Sequence, residues 1–258
     1  VSGPQPIPAG IDYELWCGPA PKAPLRRKNL HYDWHWDFAT GNGDVGNQGI
    51  HQMDLARWAI GAAGLPKCTL SIGGRLGYDD DGNTPNSQLV WHEYEKAPLL
   101  FEVRGLPRDA AAQAGDWGKG MDDVMGVRIG VIVHCEGGTL RIPDYTRAIA
   151  YDTAGKEVKR FEGATDHFAN WIDAVKSRKV ADLRGEVQEG HVSSALCHLG
   201  NVSHVLGAAA SRETIAKACA STAELAANHE RLCAHLAANG VDLAKTPLHL
   251  GASLAIDA

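Results

Sequence analysis

The chain has 258 residues, 44% of them hydrophobic and 22% charged, which is enough to bury a core as one large domain with a helical extension. Its formal net charge of -6 argues against a nucleic-acid partner, which would select for a basic face. No apolar run approaches the ~20 residues that span a bilayer, so no membrane partner is expected.

The chain starts at Val1, and its first ten residues are rich in proline and glycine. We read that start as a cut and residues 1–30 as an extended connector. The next segment, HYDWHWDF, alternates polar and aromatic residues. Period-2 geometry would put His31, Asp33, His35 and Asp37 on one face and Tyr32, Trp34, Trp36 and Phe38 on the other. An aromatic face beside a polar one suits a sugar, whose C–H faces pack on rings while its hydroxyls take hydrogen bonds. An ordinary strand with aromatics in the core would show the same alternation. His31, Asp33 and His35 could also meet a metal, but no further ligand is indicated, so no metal site is assigned.

Gly41-Asn42-Gly43-Asp44-Val45-Gly46 spells the dinucleotide fingerprint G-x-G-x-x-G. That motif works only between a buried apolar strand and a helix, with an acid about 20 residues on for the ribose. The residues before it are too polar, and Pro66 and Lys67 stand where the acid belongs. We read it as a flexible glycine loop leading into a helix, with no cofactor-binding residue.

Residues 47–61 carry helical spacing and stop at Gly61. At ~100° per residue, Asn47, His51, Asp54 and Trp58 share an arc of roughly 60°. Met53, Ala56, Ala59 and Ile60 define an apolar face. An imidazole between an amide and a carboxylate suits proton exchange with an alcohol. The alternative is a solvated His51–Asp54 pair, with Asp54 also meeting Arg57.

From Lys67 to about Asp152 the runs TLSIGGRLGY, SQLVWHEYE, APLLFEVRGL, VRIGVIVHCEG and TLRIPD read as strands broken by turns. Short strands in succession imply antiparallel pairing. Beyond Gly163 the pattern is helical again. Thr165 or Asp166 caps a helix with Phe168, Trp171, Ile172 and Val175 on one face. A second helix runs from about Glu186 to Leu206, and a third from about Arg212 to Asn239. The six cysteines form no C-x-x-C pair and are read as reduced thiols. The fold class is α+β, an open and mostly antiparallel β-sheet with flanking helices. The expected division is 1–30 connector, 31–207 substrate-binding domain and 208–258 helical extension.

In Asn47-Gln48-Gly49-Ile50-His51-Gln52-Met53-Asp54-Leu55-Ala56-Arg57-Trp58, closed by Ile60-Gly61, the chain resembles the Gfo/Idh/MocA oxidoreductases (glucose–fructose oxidoreductase, inositol dehydrogenase, rhizopine catabolism). Further marks of a bacterial subgroup are Asp12–Pro21, His31–Trp36, Gly73–Arg75, Asp80–Asn86, Phe101–Leu106 and Asp166–Val175, and the helix His191–Gly207 also fits. The resemblance covers most of residues 7–207. It implies a sheet domain that shapes a sugar pocket and often forms a homo-oligomer through its open face, with NAD or NADP bound mainly by a Rossmann domain that is missing here. It places His51 as the catalytic histidine, with Asn47 and Asp54 orienting it. Trp34, His35, Trp36, Asp44 and Arg104 would line the pocket. Asn47 replaces the family's usual aspartate, and an amide cannot serve as a base. Two other readings therefore stand beside a sugar or cyclitol dehydrogenase: an NAD-assisted glycosidase or lyase acting through a 3-keto sugar, and a non-catalytic sugar-binding or oligomerisation module.

Overall fold

The structure is a computed structural model that describes residues 3–77 and 79–257. Val1 and Ser2 of the expected connector, Tyr78 at the end of the first expected strand run, and Ala258 lie outside the described residues.

The expected connector is a strap held against the body of the protein. It contains a short helix, α1 (Tyr13–Cys17), capped by the Asp12 side chain, and it buries Leu25 and Leu30. Arg27 ties its end to Asp80. Residues 33–36 then form a 3₁₀ turn rather than the expected alternating strand. The backbone carbonyl of Asn29 accepts from both Tyr32 and Asp33, while the Asp33 carboxylate accepts from the Asn29 N–H. Asp33 thus closes a local turn that competes with extended backbone.

Two helices follow, α2 (Gly43–Asn47) and α3 (Gly49–Ile60). Gly61 ends α3 in the left-handed conformation, φ 68°, donating its N–H to the Arg57 and Trp58 carbonyls. Next come β1 (Cys68–Gly74), β2 (Ser87–Glu93) and β3 (Leu99–Arg104), all antiparallel. A one-turn helix, α4 (Trp117–Gly120), leads to a four-stranded meander of β4 (Val131–Cys135), β5 (Gly138–Ile142), β6 (Arg147–Asp152) and β7 (Glu157–Glu162). The sheet region therefore splits in two and extends past Asp152. Strand β7 went unread because EVKRFE is exposed along its whole length and shows no alternation.

The remaining elements are α5 (His167–Ser177), α6 (Val187–Val205), β8 (Ala208–Ala209), α7 (Arg212–Cys219), α8 (Ala223–Ala238), β9 (His249–Leu250) and β10 (Leu254–Ala255). Asp166 caps α5. The third expected helix is two, α7 and α8, broken at 220–222 so that both reach one core.

The larger sheet has the order β3-β2-β1-β9-β8, with β10 also pairing β1. One face of this sheet packs Ile72 and Leu89 against Ile215, Leu232 and Leu236 of α7 and α8. The other packs Val90 and Leu99 against Val45, Met53 and Leu196 of α2, α3 and α6. Leu89 and Val90 are both fully buried, each contributing about 1.5–3 kcal/mol of apolar burial. Residues beyond 207 supply Ile215, Leu232 and Leu236 to one core and add β8, β9 and β10 to the larger sheet.

Two glycines let α3 and α6 approach the sheet. A Cβ on Gly49 would lie 2.6 Å from the Phe101 ring, and one on Gly200 would lie 2.9 Å from Val90. On the apolar face of α3, Met53, Ala56 and Ile60 pack as expected, but Ala59 is exposed. All six cysteines are free, and burial pushes the Cys197 thiol up to about 12 and Cys219 up to about 11, which makes them packing groups.

Candidate functional site

The junction of α2 and α3 positions the candidate histidine. Gln48 serves both helices, closing α2 and opening α3, so Asn47 ends the first while His51 stands one turn into the second. Asn47, His51 and Trp58 are exposed and Asp54 is half-buried. His51, Asp54 and Trp58 lie on α3, whereas Asn47 ends α2, so the single helix expected over 47–61 is broken at Gln48.

Placement on one helix does not join His51 to Asp54. The Ser193 hydroxyl on α6 donates to Asp54, and Arg57 lies 3.5 Å from the same carboxylate. Among the described residues, no hydrogen bond links His51 to Asn47 or Asp54. Arg57 is 2% exposed and also donates to Ser193 Oγ at 3.1 Å, to the Ala62 carbonyl at 2.8 Å and to Glu189. The Asp54–Arg57 contact weighed in the sequence is thus present, as part of an anchor between α3 and α6. The neighbour of His51 is Tyr145, on the turn between β5 and β6, with ring centroids 5.5 Å apart.

The 3₁₀ turn gathers a second group. Its geometry removes the two-faced strand, so the aromatics do not line one side. His35 is buried, its Nδ1 2.6 Å from the Tyr32 carbonyl and its ring 4.0 Å from Trp36. Trp36 Nε1 donates to Asp44 at 3.2 Å. Burial pushes the Asp44 carboxyl up from its ordinary value, against the opposing pull of that hydrogen bond and of His35 and Arg75. Trp34 is 40% exposed and open to a ligand. Trp34, His35, Trp36 and Asp44 therefore form one cluster. Arg104 stands elsewhere, at the end of β3, where Glu102 and Asp122 each hold it at 2.6 Å.

The glycine loop packs closely against its own chain. A Cβ on Gly41 would fall 2.3 Å from the His35 backbone, and one on Gly46 would fall 2.1 Å from the Asn42 side chain. Gly43, at φ 69°, packs against Thr84. These glycines serve close approach within the chain, and a 3₁₀ turn precedes them where the fingerprint needs a buried strand. The residues of this loop therefore do not form the strand–turn–helix that the fingerprint needs to hold NAD or NADP. Among the described residues no group of three metal-ligating side chains converges either.

Sequence reasoning missed Tyr145, Gln48, Gln52 and Ser193. The two glutamines bracket His51 within its own motif, at i-3 and i+1. Tyr145 carried no signal beyond being an aromatic residue in a polar turn.

The chain is an α+β fold whose main sheet is covered by helices on both faces, with His51 exposed on α3. Residues 2–79 match the family model described as the oxidoreductase family, C-terminal alpha/beta domain, of Gfo/Idh/MocA type. The matched segment contains the strap, the aromatic turn, the glycine loop and the His51 helix.

Among solved structures, an oxidoreductase from Thermotoga maritima shares 12% identity at a TM-score of 0.42, covering 69% of this chain and 49% of that one. A Klebsiella pneumoniae protein described as an oxidoreductase shares 13% identity at 0.41, covering 59% and 44%. One from Bacillus cereus shares 17% at 0.30, covering 61% and 47%. The chain thus spans less than half the length of these structures. No curated protein matches it.

Proposed function

We propose that this chain is the substrate-binding part of an NAD(P)-dependent oxidoreductase acting on a sugar or cyclitol hydroxyl, with His51 exchanging the proton of that hydroxyl. The observation that supports this most is the state of the His51 face. Every charged neighbour on α3 is committed to the α3–α6 anchor, while His51 itself is exposed, beside a phenol and, among the described residues, without a hydrogen-bond partner. A neutral imidazole carries one donor and one acceptor nitrogen, so it can both take and return a proton.

Asn47 and Asp54 contribute less directly than the motif suggests: Asn47 flanks the open face, and Asp54 fixes the helix that carries His51. Trp34 offers an apolar surface for a sugar ring, and Asp44, half-buried against Trp36, a carboxylate acceptor in the same cluster. The hydride acceptor, NAD or NADP, would be held outside the described residues, so the chain alone should be inactive. In the complete gene product, His51→Ala should lower turnover by ~10²–10⁴-fold with cofactor affinity unchanged. Unchanged turnover would remove His51 from the chemistry.

Asn47 favours a second reading, in which the same scaffold runs an NAD-assisted glycosidase or lyase, because an amide there withdraws the family's carboxylate from proton transfer. Product analysis separates the two: a free sugar without accumulating NADH supports the second. We also propose a homo-oligomer through the open meander, on whose β7 Val158 and Phe161 are exposed. A monomer by light scattering would overturn that assembly.

A further inference from the structure

We propose that Tyr145 is the second half of the His51 site, a fixed hydrogen-bond donor to the ligand hydroxyl oxygen that faces the imidazole. The inference rests on the reading of His51 as a substrate-facing group and adds the residue that would orient the ligand there.

The argument is one of donor and acceptor supply. A phenol oxygen can accept two hydrogen bonds and donate one. Tyr145 Oη accepts from Gln48 Nε2 at 3.0 Å and from Gln52 Nε2 at 3.4 Å. Gln48 Nε2 also reaches Gln52 Oε1 at 3.2 Å, which sets the orientation of the second amide. Gln52 is 8% exposed, so packing holds that amide in place. With both acceptor positions filled, the phenol proton points away from α3, and among the described residues it meets no acceptor.

The turn that carries Tyr145 is braced. Asp144 accepts from the Thr146 N–H at 2.9 Å, the Thr146 hydroxyl at 2.8 Å and Arg147 Nε at 2.6 Å. Tyr145 is 60% exposed, so the donor faces water that a ligand oxygen can displace. The His51 imidazole, 5.5 Å from the Tyr145 ring between centroids, and an outward-directed O–H then bracket one position, and their complement is a neutral oxygen that can both accept and give up a proton. A polyol hydroxyl has that character. A quaternary ammonium or a hydrocarbon does not.

The test uses this 258-residue chain with myo-inositol and D-glucose as probes, followed by saturation-transfer NMR. Wild type should bind one of them at millimolar concentration. Tyr145→Phe keeps the ring and removes the O–H, and should weaken that binding by roughly 3–10-fold, about one hydrogen bond, with the thermal midpoint unchanged. His51→Ala should weaken it as well. If His51→Ala loses the probe while Tyr145→Phe binds as wild type does, the role of Tyr145 is overturned and the proposed function stands. If wild type binds neither polyol, the sugar or cyclitol reading falls and takes this inference with it. A Tyr145→Phe variant whose loss of binding merely tracks a lowered midpoint would make Tyr145 a stability residue and overturn its role.

Discussion

Arg57 engages all three of its guanidinium nitrogens inside the protein, reaching Ser193, Glu189, Asp54 and the Ala62 carbonyl from a position only 2% exposed. Asp54 and Glu189 retain partial access to water, so both can rehydrate if the cation is removed. Arg57→Met should therefore cost about 2–4 kcal/mol in urea unfolding, less than stranding a fully buried partner would. A change below ~0.5 kcal/mol would show that apolar packing alone holds α3 to α6. This residue also explains what the sequence left ambiguous. Helical spacing relates His51 to Asp54 within α3, but it does not extend to Asn47, which ends α2. It could not say that Asp54 would be claimed by Ser193, since that partner lies 139 positions away.

Among the elements, α3 was legible because its stripe and its terminal glycine agree, whereas the turn at 33–36 was not. Alternating polar and aromatic residues fit an extended strand, yet one aspartate bonding back to Asn29 is enough to coil them. The break between α7 and α8 falls at Ser221-Thr222, weak helix formers set in an alanine-rich run that otherwise favours helix. Close approach of α6 to β2 gives a prediction at this scale. Gly200→Val would drive methyl groups into Val90 and should destabilise by about 1–3 kcal/mol in urea unfolding; tolerance would mean that α6 can shift outward freely. The β5–β6 turn gives another. Hydrogen bonds from Arg147 and Thr146 hold the Asp144 carboxyl down at about 2, below its unfolded value near ~3.9. The turn's support is then complete above about pH 4 and is lost as pH falls toward 2. NMR titration of the Asp144 carboxyl should show that midpoint, and one near 4 would mean that the brace is not formed in solution.

Over the whole molecule, buried imidazoles set the acid limit, and burial lowers His229 among them. Burial lowers His92 to about 3 and His204 and His235 to about 4, with His249 adding to the shift at His204 and Arg104 to that at His235. Each folded value lies below the unfolded ~6.5, so the unfolded chain binds more protons. Stability is full above about pH 6.5 and declines as pH falls toward 4, by up to roughly 1.4 kcal/mol per pH unit for each histidine. Urea midpoints should fall steadily between pH 7 and 5, and a flat profile would show these rings to be solvated. The antiparallel sheet with helices around it was legible from strand runs bounded by turns. The integration of residues 208–258 was not, because short strands of two residues leave no pattern to read. Those strands have a consequence for how the protein is made. The free side of β1 is closed by β9 and β10, and Cys68 meets Ser253 across 185 positions. During ribosomal synthesis β1 and β2 emerge long before their last neighbours exist, so a nascent chain carries an open strand edge through most of its elongation. Completion of the sheet then waits on a contact of very long range, the kind that slows folding and invites chaperone capture.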